Sequence, residues 1–169
     1  SPNGQEIAHT IGIGTEIHFA NIGGALSKSS FPLSNHQLEE YRYIFCYSPS
    51  WSPDTKFLAT DCSYTKTEKS LNIYKFKSDG STFECLTCSS NLKGEFFYDP
   101  RWAPNGKQIG FIGWFYIEDI EYSMIYVMNP DGGDQKSLLN VQVLGRIHDW
   151  AWSPDGQWVM VLSMEDRSH

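Results

Sequence analysis

At 169 residues, 15% of them aromatic, the chain has the length of one domain and the composition of an aromatic-rich core. Its net charge of −7, with no run of Lys or Arg, excludes the basic face that a nucleic-acid partner requires. No apolar stretch approaches the roughly 20 residues of a membrane-spanning helix.

The chain opens on Ser1-Pro-Asn-Gly4, a turn whose copies return as Trp51-Ser-Pro-Asp-Thr55, Trp102-Ala-Pro-Asn-Gly106 and Trp152-Ser-Pro-Asp-Gly156. Pro2, Pro53, Pro104 and Pro154 stand 51, 51 and 50 residues apart. A fixed period of this size predicts a repeat architecture, in which no unit buries its apolar face alone. The first unit reaches Asn21-Ile-Gly-Gly24 and then a Ser-rich insertion over residues 26–38, which leaves its outer strand unassigned. The second continues from its turn into Lys56-Phe-Leu-Ala-Thr-Asp-Cys62, a polar stretch, and Leu71-Asn-Ile-Tyr-Lys-Phe-Lys77. It closes with Ser78-Asp-Gly80 and Phe83-Glu-Cys-Leu-Thr87. The third matches it with Lys107–Gly113, Ser123–Asn129, Pro130-Asp-Gly132 and Lys136–Leu139, and the last holds only Gln157–Ser163. Ile73, Tyr74 and Phe76 carry the aromatic and β-branched enrichment of a buried strand. The Asp-Gly tripeptides are turn chemistry, because Asp bonds its own backbone and Gly accepts φ > 0. Each unit reads as four short antiparallel strands, the first ending at the Trp. The whole is one domain over 1–169 with units near 1–51, 52–102, 103–152 and an incomplete 153–169.

The run Pro-x-Trp-Ser-Pro-Asp-Gly, an apolar strand, Ile-Tyr-x-Met-Asn-x-Asp-Gly and Leu-Thr resembles the TolB-like β-propeller repeat, of the WD40-like or PD40 type. Pro49 with Trp51 and Pro100 with Trp102 carry the first element, Ile125–Gly132 the second, and Leu86-Thr87 the third. The resemblance spans essentially the whole chain. It implies an all-β propeller of about three four-stranded blades around a central channel, with the Trp-ended strand innermost. TolB-like propellers are usually six-bladed, so it also implies half of a ring. Three blades alone would need extreme twist to close. The expectation is a fragment of a longer propeller, or a homodimer in which two copies complete one ring.

Cys46, Cys62, Cys85 and Cys88 are the four cysteines. Folding the hairpin about the Trp51 turn sets Cys46 opposite Cys62, where a cross-strand disulfide fits if the Cα atoms lie roughly 4.4–6.8 Å apart. Cys85 and Cys88 flank Leu86-Thr87 at the end of an outer strand, with spacing for a small-loop disulfide or half a metal site. The two pairs would sit three strand spacings apart, roughly 14 Å, so one zinc ion cannot gather all four. Two disulfides, or free thiols acting as small apolar side chains, both accommodate the pattern. Disulfides would place the protein in an extracellular or periplasmic setting.

No nucleophile elbow, His-Glu-x-x-His helix or phosphate-cradling loop occurs, so no catalytic residue, metal ligand set or cofactor is assigned. His9, His18, His36, His148 and His169 are scattered. The predicted topology gathers Tyr47, Tyr98, Asp99, His148, Asp149 and Trp150 on one face, each shortly before a repeat Trp, beside loops 63–70 and 114–122. Loops on a rigid scaffold are where recognition concentrates. Trp114-Phe-Tyr-Ile-Glu-Asp-Ile-Glu-Tyr122 is aromatic and acidic. Either Trp114 and Tyr116 present an exposed contact loop, or they extend the second strand and pack on the next blade. The expected function is a non-enzymatic binding or scaffold module for a protein, peptide or glycan. The alternative is the propeller part of an enzyme, either a prolyl-oligopeptidase-like gating domain or an oligogalacturonate-lyase-like metal-dependent lyase.

Overall fold

The computed structural model describes residues 1–11, 16–21, 23, 26–32, 44–64, 71–138 and 143–163. His36, His169 and most of the 63–70 loop lie outside them. The described residues form four antiparallel sheets in chain order. The first holds β1 (Glu6–Ile11), β2 (Glu16–Asn21) and β3 (Leu26–Pro32); the second holds β4 (Ile44–Trp51), β5 (Phe57–Tyr64), β6 (Leu71–Lys77) and β7 (Phe83–Cys85). The third runs β8 (Phe96–Trp102), β9 (Ile109–Ile117), β10 (Ile120–Met128) and β11 (Lys136–Ser137), with β12 (Val143–Leu144) also paired to β10. The fourth contains β13 (Ile147–Trp152) and β14 (Val159–Ser163). The start of the Ser-rich insertion is β3, so it supplies the outer strand that the sequence left unassigned.

Each sheet buries its face against the next through a separate core. Ile17 and Phe19 of the first sheet meet Cys46, Leu58, Cys62, Tyr74 and Phe76 of the second. Ala59, Ile73 and Leu86 of the second meet Phe97, Ile109, Phe111, Tyr126 and Met128 of the third. Ile112 and Ile125 of the third meet Ile147 and Trp150 of the fourth. The repeat Trp packs against a different one of these seams each time: Trp51 the first, Trp102 the second, Trp152 the third. Burial alternates along β9 between Ile109 and Phe111 on one side and Ile112 on the other, since successive side chains leave a strand on opposite faces. Sheets stacked in series, each sharing a seam with its neighbours, are the blades of a propeller segment. On β14, Val159 and Val161 pack inward, whereas Met160 and Leu162 are exposed, as is Trp158 just before the strand.

Close packing at the third seam depends on Gly110. A Cβ there would stand 2.5 Å from Trp150 Cη2 and 3.0 Å from Trp152 Cζ2. Gly110→Ala is expected to cost about 1–3 kcal/mol through overpacking, read from urea denaturation midpoints; an unchanged midpoint would mean the seam is loose.

The innermost strands share a second device. The ladder between β4 and β5 shifts between Tyr47 and Ser50, and that between β8 and β9 between Tyr98 and Arg101. Ser48 (φ 46°) and Asp99 (φ 49°) sit in the left-handed region at these bulges, each followed by a Pro. A bulge is where a strand tolerates Pro, and it bends the strand and re-aims its side chains. On β13 the irregularity falls one residue earlier, between Ile147 and Asp149, and Trp150 occupies the Pro position.

Candidate functional site

The 114–122 segment is a hairpin. β9 runs through Trp114, Phe115, Tyr116 and Ile117 and turns at Glu118-Asp119 into β10, in the register Ile117↔Ile120 and Trp114↔Ser123. Both turn residues have positive φ, 51° and 63°, as a tight two-residue hairpin demands. Of the two readings of this segment, strand extension is the one present. Phe115 is buried, Trp114 is half-buried and Tyr116 is exposed, with the two turn acids in water.

Trp114 forms one wall of a cleft of about 450 Å³, lined by Leu71, Phe96, Tyr98, Trp114, Arg146, Ile147 and His148. Blades two, three and four all contribute. Phe96 stacks at a tilt on Trp114 with ring centroids 4.7 Å apart, and the Arg146 guanidinium lies 4.5 Å above the same indole. Arg146 also pairs with Glu121, the first cause holding its charge, so its pKa is raised. Burial pushes the Tyr98 phenol above its usual range, keeping it neutral at any ordinary pH. The cleft therefore has apolar and aromatic walls with a few polar tips, the general make-up of a ligand site.

Asp99 and Asp149 converge instead on Arg101. Its Nη2 donates to Asp99 Oδ2 at 2.9 Å and to Asp149 Oδ1 at 2.7 Å. Its Nη1 donates to the Trp150 carbonyl, and the guanidinium lies 5.3 Å from the Trp150 ring. Burial opposes the Arg101 charge, but hydrogen bonds to the two carboxylates outweigh it and its pKa is raised. Asp149 is lowered, first by the Arg101 bond and then by the Trp150 N–H. This network sutures blade three to blade four.

Trp150 is 1% exposed, so its side chain is a seam residue and not part of any exposed face. It takes the place of Pro100 in blade three, which is buried too, and its ring packs over Gly110, where the absence of a Cβ leaves room for it. Tyr47 is exposed on the innermost strand of blade two and does not line the cleft. Sequence reasoning missed Leu71, Phe96, Arg101, Arg146 and Ile147. The only signal was Arg101 standing where the other copies carry Ser50 and Ala151.

Cys46 and Cys62 are partners in the β4–β5 register and their sulfurs are bonded, with Cα atoms 4.1 Å apart, a little closer than the roughly 4.4 Å lower bound expected. Cys85 and Cys88 form the second bonded pair, Cα atoms 5.7 Å apart. Among the described residues, no three His, Cys, Asp or Glu side chains are grouped to hold a metal ion.

No family model matches the sequence, and no curated protein does. Solved structures do match. TolB of Agrobacterium tumefaciens superposes with a TM-score of 0.65 at 20% identity, over 97% of this chain and 57% of that one. TolB of Acinetobacter baumannii gives the same TM-score and identity over 99% of this chain. The chain has the TolB-like β-propeller fold. It spans 57% and 37% of the two TolB chains it matches, so it corresponds to part of their length. An oligogalacturonate lyase in complex with manganese shares the architecture less closely, at TM-score 0.56 and 12% identity over 85% of this chain and 34% of that one. Within the TolB-like propeller frame, Tyr47, Tyr98 and His148 are repeat-equivalent, each standing four residues before its repeat Trp on an innermost strand. Only Tyr98 and His148 reach the cleft.

Proposed function

We propose that this propeller segment is a non-enzymatic binding module that takes a protein, peptide or glycan segment into the cleft between Tyr98, Trp114, Arg146 and His148. The observation that carries the reading is the aromatic wall itself. Phe96 and Trp114 present an apolar surface, while Arg146 and His148 set polar groups at its margin. Such walls accept a side chain or a sugar face, and the polar tips fix its orientation. Tyr116, Asp99 and Asp149 lie on the same strands as Trp114, Tyr98 and His148 and form the margin of the same recognition face; Tyr47 extends it onto blade two. The likeness to enzyme propellers is one of fold, and the lyase alternative would need ligands converging on His148.

Two bonded cysteine pairs support a setting outside the reducing cytosol, extracellular or periplasmic. The exposed row Trp158, Met160 and Leu162 continues the alternation by which each blade meets the next. A further blade, from a second copy or from more of the same protein, would cover it.

Panning a random dodecapeptide phage library on the chain tests the cleft. Enriched clones should lose at least about tenfold in affinity on Trp114→Ala, with the thermal midpoint checking that the variant is folded. Clones that bind the variant equally well would remove the cleft from the reading.

A further inference from the structure

The two cysteine pairs differ in ways that bear on chemistry. Cys46 and Cys62 are both fully buried, in the seam between blades one and two. Cys88 is exposed, in the turn that follows β7, and Cys85 is half-buried at the end of that strand. We propose that Cys85–Cys88 is a thiol–disulfide exchange site for a dithiol protein, while Cys46–Cys62 is a closed structural bond.

Three observations point the same way. The first is access, since an attacking thiolate can reach Cys88 Sγ from solvent and cannot reach the buried pair. The second is loop size. Cys85–Cys88 joins residues three apart, Cys46–Cys62 residues 16 apart. A cross-link stabilises the fold mainly by restricting the unfolded chain, and more so for longer loops. Folding therefore holds the small-loop bond shut less than the other. The third is stabilisation of the leaving sulfur. The Cys88 backbone N–H donates to Cys85 Sγ at 3.0 Å, and the Tyr74 hydroxyl lies 3.3 Å from Cys88 Sγ. Donors that favour a thiolate make it a better leaving group.

The exchange proceeds as two displacements. A thiolate of the dithiol attacks Cys88 Sγ; the S–S bond breaks and its electron pair leaves on Cys85, whose thiolate the Cys88 N–H stabilises. The mixed disulfide is resolved when the second thiol of the dithiol, deprotonated by solvent, attacks its own partner sulfur. Cys88 then leaves as a thiolate facing the Tyr74 hydroxyl. The chain's disulfide gains two electrons and the dithiol becomes a disulfide.

The bond lies over a contact between blades. Leu86, between the cysteines, is buried in the seam with blade three, and its N–H donates to the Ile73 carbonyl at 2.8 Å. Thr87 Oγ1 accepts from the Ile73 N–H at 2.9 Å and donates to Asn72 Oδ1 at 3.0 Å. Gln135 Nε2 of blade three donates to the Leu86 carbonyl at 2.8 Å. Opening the loop relaxes the outer anchor of blade two on blade three.

The test treats the intact chain with increasing dithiothreitol under native conditions, traps thiols with iodoacetamide and maps the modified cysteines by mass spectrometry. Cys85 and Cys88 should be trapped at least about tenfold faster than Cys46 and Cys62. Simultaneous trapping of all four, coincident with loss of native tryptophan fluorescence, would overturn the proposal, as would faster opening of Cys46–Cys62. In Cys88→Ser, the remaining Cys85 thiol should alkylate with a midpoint below the ordinary value of about 8.5. An ordinary or raised midpoint would overturn Cys85 as the leaving group.

Discussion

Trp150→Ala should cost about 3–5 kcal/mol of folding stability, the largest loss expected from any single substitution in blade four. The indole is 1% exposed and packs with Ile112, Ile125 and Ile147. Its ring lies directly over Gly110, and its Nε1 donates to the Asp99 carbonyl at 3.2 Å. The Arg101 guanidinium sits above it. Alanine would leave a ring-sized void that the surrounding strands cannot fill, because Gly110 offers no side chain to move into it. The Asp99 carbonyl would lose a donor at the same time. Urea denaturation at neutral pH measures the loss, and a value under about 1 kcal/mol would mean the seam can collapse onto the gap. The cleft should feel the change as well, since Arg146 and His148 flank β13 residue Ile147, which belongs to the same core as Trp150.

What could be read beforehand, and what could not, follows from the range of the interactions. The four Pro turns are local: their φ preferences and Asp or Asn side chains act within a few residues, so the sequence displays the blade period directly. Asp54 Oδ1, for instance, accepts from the Ser52 hydroxyl at 2.6 Å and from the Lys56 N–H at 3.1 Å, and Asn105 accepts from the Lys107 N–H at 2.9 Å. The Cys46↔Cys62 register follows from the same turn, because a hairpin of known length fixes which residues face each other. The Glu118-Asp119 turn was not legible, since neither residue is the Asn or Gly that usually announces positive φ. Trp150 misled for a different reason. Its place before the repeat Trp suggested the open face, but it is the position that Pro100 fills in blade three, which is buried too, and its ring packs into the seam. The cleft depends on Leu71, Phe96, Arg146 and Ile147 meeting across blades, and no local pattern marks residues whose only common property is where the sheets bring them. The Arg101 suture has the same character, joining Asp99 and Asp149 across two innermost strands.

Asp61→Asn should stabilise the protein at neutral pH and leave it little changed near pH 4. Asp61 lies on β5, paired with Tyr47 and Ile73, and is 3% exposed. One carboxyl oxygen, Oδ1, has no hydrogen-bond partner. Burial is the main reason its pKa is pushed up to about 6, and the nearby Asp99 charge adds to it; hydrogen bonds from backbone groups and from Ser48 pull the other way without compensating. In the unfolded chain the same carboxyl titrates near 3.8. Below that value it is protonated in both states and costs nothing. Between about 4 and 6 the folded protein holds a proton that the unfolded chain has released, so stability falls as pH rises through this window. Above about 6 the folded state carries a buried, partly unsatisfied charge, and the loss levels off at about 3 kcal/mol, the equivalent of the displacement from 3.8 to about 6. Asparagine keeps the shape and the acceptor oxygen but cannot ionise, so it escapes this cost. Urea denaturation of the native chain and of Asp61→Asn at pH 4, 5, 6 and 8 should show the variant's advantage growing up to about pH 6 and constant beyond. The exposed carboxylates, whose lowered pKa values favour folding at higher pH, are common to both proteins and cancel in the difference. An advantage that does not vary with pH would mean that Asp61 is ionised throughout, with the seam between blades two and three open to water at that point.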